Sequence, residues 1–230
     1  MDTDQTFTSS SAEPALLALS GKSPDPLATE WAQLIRDRQQ RAEVLACSHR
    51  GDYAAAIAHL DDLLIRHPEQ ASDYNNRGLM HFKLGHHQQA IADYDRALAI
   101  QPRLDSAYNN RANCQVVLGN LAAALTDYQV ALDLNPSNLR AWINQGVTYR
   151  ELGLYELAIE NFDLVLVLGR RLQARAYAER GRAYHLRGDW NLANADYQRA
   201  LSGLLQTRSA RHYRQQVQAW IDELNAPLTA

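Results

Sequence analysis

The chain has 230 residues, 46% of them hydrophobic, which is enough apolar material for a sizeable core and excludes disorder throughout. Its 23 Lys and Arg against 26 Asp and Glu leave a formal charge of -3. Attraction of the whole molecule to nucleic acid or to an anionic membrane is thereby excluded, and any basic site must be local.

Residues 1–26, rich in Ser, Thr, Asp and Pro, are expected to be disordered, with PALLALSG able to form one short turn of helix. This start lacks the basic residues and sustained apolar core of a secretion signal. No later run approaches the ~20 apolar residues of a membrane span, so the expected setting is cytoplasmic, without membrane insertion. The helical pattern starts near Leu27, and Trp31, Leu34 and Ile35 sit on extra turns of the first helix. There they either cap the rest of the helical array or form a second contact patch.

A repeat then sets in. Pro68, Pro102 and Pro136 stand 34 residues apart. With each proline at position 32, repeats span 37–70, 71–104, 105–138, 139–172 and, after one inserted residue, 174–207. Position 8 reads Gly78, Ala112, Gly146 and Gly181, and position 20 reads Ala56, Ala90, Ala124, Ala158 and Ala193. Position 24 carries Leu60, Tyr94, Tyr128, Phe162 and Tyr197, so large residues meet small ones. Gly51, Gly85, Gly119, Gly153 and Gly188 mark a turn inside each repeat, where a helix end favours positive φ.

These spaced landmarks resemble the tetratricopeptide repeat over roughly residues 37–207. The resemblance implies an all-α, right-handed solenoid of five helical hairpins, because one hairpin cannot bury its apolar face alone and neighbours must stack. Between repeats four and five, LGRRLQAR replaces the proline, so stacking is expected to be less regular there, beside Arg170, Arg171 and Arg175. Tyr213, Val217, Trp220, Ile221 and Leu224 then form one helical stripe, read as a capping helix over 208–224 with a tail at 225–230.

Comparison of the repeats with one another isolates a polar pair. Positions 7 and 23 are Arg77/Asp93, Arg111/Asp127 and Arg180/Asp196 in repeats two, three and five, whereas repeat four has Gln145/Asn161. Both charges vanish together, which points to a bridge between the two helices of each hairpin. Repeat one has Glu43/His59 instead.

In tetratricopeptide superhelices the inner wall is built from fixed positions of each first helix. Carried onto this chain, they give Asn75, Asn76 and Lys83 in repeat two, and Asn109, Asn110 and Asn113 in repeat three. Repeat four gives Arg140, Asn144 and Arg150, and repeat five gives Arg175 and Arg182. With Arg38 and Arg41 of repeat one, the wall holds seven cations against Glu151 and Glu179. Such a wall favours an extended, acidic segment of another protein. Asn76, Asn110 and Asn144 share position 6 and resemble three rungs of the asparagine ladder in the glycosyltransferase that attaches N-acetylglucosamine to intracellular proteins; amides both donate to and accept from a peptide backbone.

The function expected is that of a non-catalytic interaction scaffold or adaptor, and related short proteins serve as assembly factors for larger complexes. A clamp for a chaperone's C-terminal carboxylate is an alternative, but Asn109 and Glu179 occupy cationic clamp positions. A nucleic-acid-binding solenoid is another, with Phe82 as the lone stacking platform of the wall. No phosphate loop or nucleophile motif is present, and no cofactor is implied. His81, His86 and His87 are spaced so that they diverge, as do Cys47 and His49, and Cys47 and Cys114 read as reduced thiols.

Overall fold

The computed structural model describes residues 26–170, 172–204 and 208–226. The N-terminal segment with PALLALSG, Arg171 and the end of the tail lie outside the described residues. Among the described residues every regular element is a helix: α1 (Pro26–Arg50), α2 (Tyr53–Arg66), α3 (Ala71–Lys83), α4 (His87–Ile100), α5 (Asp105–Val117), α6 (Leu121–Leu134), α7 (Leu139–Glu151), α8 (Tyr155–Leu168), α9 (Gln173–Arg187), α10 (Trp190–Gly203) and α11 (Arg208–Leu224). The chain divides into two compact units, residues 1–63 and 64–230.

In the first unit, Val44 and Cys47 of α1 and Ala56, Leu60 and Leu63 of α2 are buried. The Gln40 side chain donates to the His59 carbonyl at 2.9 Å and ties the two helices. Leu27, Trp31, Leu34 and Ile35 are all more than half exposed, so the extra turns of α1 leave an apolar stripe in solvent instead of covering a core.

The second unit holds four antiparallel hairpins, α3/α4 to α9/α10, followed by α11. Each hairpin closes around one large residue set against small ones. Tyr94, Tyr128, Phe162 and Tyr197 are buried beside fully buried Ala90, Ala124, Ala158 and Ala193. The approach is tight: a Cβ on Gly146 would stand 2.7 Å from the Phe162 ring. At the turn inside each hairpin, Gly85, Gly119, Gly153 and Gly188 take φ of 79°, 79°, 75° and 98°, which a side chain would strain. The amide after each glycine then reaches back over the turn to a carbonyl of the first helix, as from His86 to His81 at 2.9 Å and from Asn120 to Gln115 at 2.8 Å.

Stacking is equally local. Ala71, Ala97, Leu98 and Ala107 form one cluster across the first two hairpins of this unit, and Ala131, Leu132 and Ala141 continue it to the third. At the inserted residue, Gly169 is extended with φ −164°, and the Gln173 side chain donates to the Leu166 carbonyl at 3.2 Å. The core nonetheless runs through this joint, because Ile143, Phe162, Val165, Ala176 and Ala183 pack in one cluster. Val217 and Ile221 of α11 bury themselves against Ala178, Ala193, Tyr197 and Ala200. That is the contact which the first helix of a further hairpin would make.

Candidate interaction groove

Two kinds of polar construction decide what the inner face of the second unit can do. The first holds the helices. Arg77 grips Asp93 with bonds of 2.9 and 2.6 Å, and Arg111 grips Asp127 with bonds of 2.8 and 2.7 Å. Arg180 does the same to Asp196 at 2.6 and 2.9 Å. In the third hairpin, Asn161 donates to Gln145 at 2.9 Å, a neutral bond in the same place.

Arg111 also reaches Asp95 at 2.6 Å, and Arg180 also bonds Asp163, so each guanidinium joins its own hairpin to the preceding one. The bonds to Asp127 and then Asp95 hold Arg111 firmly protonated. For Arg180, burial opposes the charge and the two carboxylates outweigh it. Sequence reasoning missed this third partner. A signal existed: Asp95 and Asp163 precede arginines by 16 and 17 residues, whereas Gln129 stands 16 before Gln145.

The second construction lies in the groove. Asn110 donates to Asn75 at 3.0 Å, Asn144 to Asn109 at 3.2 Å, and Asn109 to Asn110 at 3.3 Å. The asparagines expected to face a ligand thus bond first to one another, across successive hairpins. Asn144 has its side-chain carbonyl and one N–H unbonded among the described residues, and Asn76 is exposed outside this chain of amides. Asn113 accepts from the Tyr128 hydroxyl at 2.7 Å.

A groove of about 640 Å³ runs along this wall, lined by Leu79, Phe82 and Lys83 at one end, by Asn109, Asn110, Asn113 and Asn144 in the middle, and by Arg140, Val147 and Arg175 beyond. Lys83, Arg140 and Arg175 are exposed and make no ion pair among the described residues. Arg38 and Arg41 belong to the first unit.

At the C-terminal end the expected excess of positive charge is largely cancelled. Arg150 is paired to Glu179, which is 6% exposed and also accepts from the Tyr213 hydroxyl at 2.9 Å. Arg182 bonds Glu223 at 2.7 Å and lies 5.7 Å from the centre of the Trp220 ring. Burial, and then the negative charge of Glu179, push the Tyr213 phenol up. Burial and Arg182 together lower the His185 imidazole.

Tyr213, Trp220 and Glu223 all come from α11. With Gln216, Tyr213 and Trp220 line a second cavity against Val147, Arg150, Arg175 and Glu179. The helix read as a cap therefore also supplies groove wall. Counting α11 as the first helix of a sixth repeat places Tyr213 at position 6, where the other repeats of this unit have asparagine or Glu179.

Among the described residues no group of three or more His, Cys, Asp or Glu is arranged to hold a metal, and no helix is long and apolar enough to cross a membrane.

The repeat, the hairpins and the groove define a class, and comparison with known proteins agrees. Two family models, both described as tetratricopeptide repeat, match residues 71–104 and 109–171. The chain is a tetratricopeptide-repeat protein. No match is found among curated proteins. Among solved structures, it resembles TTC0263, a thermophilic protein of this class from Thermus thermophilus, with a TM-score of 0.69 at 20% identity over 80% of this chain and 99% of that one. MamA from Desulfovibrio magneticus gives 0.62 at 17% identity over 72% and 93%. YrrB, described as having an unusual peptide-binding site, gives 0.56 at 19% identity over 75% and 88%. These likenesses are of fold.

Proposed function

We propose that the second unit binds an extended acidic segment of another protein in the groove of α3, α5, α7, α9 and α11, and that the protein acts as a non-catalytic adaptor in assembling a larger complex. Tetratricopeptide repeats are in general protein-interaction scaffolds, and the solved structure of YrrB is described with a peptide-binding site. The observation that carries the acidic preference is the trio Lys83, Arg140 and Arg175, exposed along one groove with no carboxylate of the described residues upon them. Unpaired cations on a concave wall attract and orient an anionic chain, and a groove of about 640 Å³ holds several residues.

The amide chain shifts the expected balance of recognition. Because Asn75, Asn109 and Asn110 already bond within the wall, the ligand's backbone meets chiefly Asn144, and side-chain charge contributes more of the selectivity. The test is a selection of peptides from a random ten-residue library on the whole protein. Acidic sequences that bind more weakly in high salt and are lost in Arg140→Glu/Arg175→Glu support the reading. Enrichment of neutral or basic peptides, or binding that survives the double reversal, overturns it.

A further inference from the structure

The four hairpins of the second unit answer one packing problem in four ways, and one answer is incomplete. The large residue at position 24 carries a hydroxyl in three of them. In the second hairpin, Tyr128 donates to Asn113 at 2.7 Å. In the fourth, the Tyr197 hydroxyl lies 3.4 Å from Nδ1 of His185. In the third, Val147 and Arg150 stand at the corresponding wall positions, and the large residue is Phe162, which needs no partner. In the first, the corresponding positions are Leu79 and Phe82, both apolar, yet the large residue is Tyr94.

Its hydroxyl is buried with no hydrogen bond among the described residues, and the residue is 0% exposed. The neighbouring Cys114, also fully buried, has its thiol pushed up to about 12 by burial and offers no charge. An orphaned buried hydroxyl is costly, and the third hairpin shows that phenylalanine fills the same place. Tyr94 also lines the groove, together with Leu79, Phe82 and Val116. Phe82 packs over the cluster of Ala90, Tyr94 and Cys114 and is only half-buried, so it can yield to an entering group.

We infer that Tyr94 is a specificity residue of the groove: its hydroxyl receives the polar end of a ligand side chain whose apolar stem lies between Leu79, Phe82 and Val116. Tyrosine and glutamine have that form. Arg140 and Arg175 lie along the same groove, so the bound segment combines such an anchor with acidic residues. This inference rests on the groove reading above and adds an uncharged anchor to it.

The test uses Tyr94→Phe in the whole protein, with Tyr128→Phe as control, and the acidic peptides enriched from the ten-residue library. Tyr94→Phe is expected to melt at or above the wild-type temperature, because it removes an unsatisfied hydroxyl, whereas Tyr128→Phe melts lower. The same Tyr94→Phe protein is expected to bind the enriched peptides roughly tenfold more weakly, with no further loss when the peptide's tyrosine or glutamine is replaced by phenylalanine or leucine. A melting temperature lowered as much as in Tyr128→Phe overturns the inference, since the hydroxyl then has a partner in the free protein. Unchanged affinity also overturns it while leaving the acidic groove intact. A library without binders lost in Arg140→Glu/Arg175→Glu overturns both readings.

Discussion

Two helices of the groove, α7 and α9, each carry one arginine near the start and one further along, and the two kinds are used differently. Arg140 and Arg175 project from the starts of α7 and α9 and are exposed without an ion pair among the described residues, whereas Arg150 and Arg182, further along the same helices, are neutralised by Glu179 and Glu223. What separates them is a carboxylate from the next helix: Glu179 of α9, itself bonded by Tyr213 of α11, meets Arg150, and Glu223 of α11 meets Arg182. Charge counted along a repeat is therefore not charge available to a ligand. It becomes available only where no neighbouring helix brings a carboxylate.

The largest effect that would break this comparison comes from Glu179→Leu. It leaves Arg150 and the Tyr213 hydroxyl without their acceptor in a nearly closed site and should lower stability by about 3 kcal/mol in urea unfolding. Arg150→Leu/Glu179→Leu should lose less than Glu179→Leu alone, because the pair leaves together; additive losses would mean that the two do not share one network. Next, Arg111→Leu strands Asp127 and should also cost about 3 kcal/mol. Gln145→Leu, at the same position one hairpin on, should cost only about 1 kcal/mol because its bond is neutral. Equal losses would contradict the division between charged and neutral bridges.

Arg140→Glu/Arg175→Glu should stay within about 0.5 kcal/mol of wild type in the same titration, since neither arginine holds the fold. A large loss would class them with Arg150. The smallest effect concerns His185, whose imidazole is lowered by burial and by Arg182. The unfolded chain then takes up a proton at higher pH than the native one, so stability held above the ordinary imidazole value near ~6.5 falls as pH drops below it. His185→Gln should flatten that part of the stability profile, and an unchanged slope would assign it to other groups.

The periodic features of the fold were legible because they are set within one repeat. A turn glycine, a small residue at position 20 and a large one at position 24 are fixed by the geometry of a single hairpin. Positions 7 and 23 belong with these: they vary together along the chain, and in repeats two to five their side chains touch. The contacts between successive hairpins were not legible in the same way. Asn110 meets Asn75, and Arg111 meets Asp95, through the rotation of one hairpin upon the next, which no 34-residue spacing states. The part played by Tyr213 and Glu223 was hidden for another reason. The apolar stripe of α11 was strong enough to explain the helix as a cover, and it masked the polar flank beside it.

That flank matters to anyone who shortens the chain. Ending it after residue 207, where the fifth repeat closes, would expose the faces of Ala178, Tyr197 and Ala200 that Val217 and Ile221 cover. It would also free Arg182 from Glu223 and take the Tyr213 hydroxyl from Glu179. Such a fragment would be stickier and more cationic at that end than its parent, and anions it captured there would be ligands of the cut.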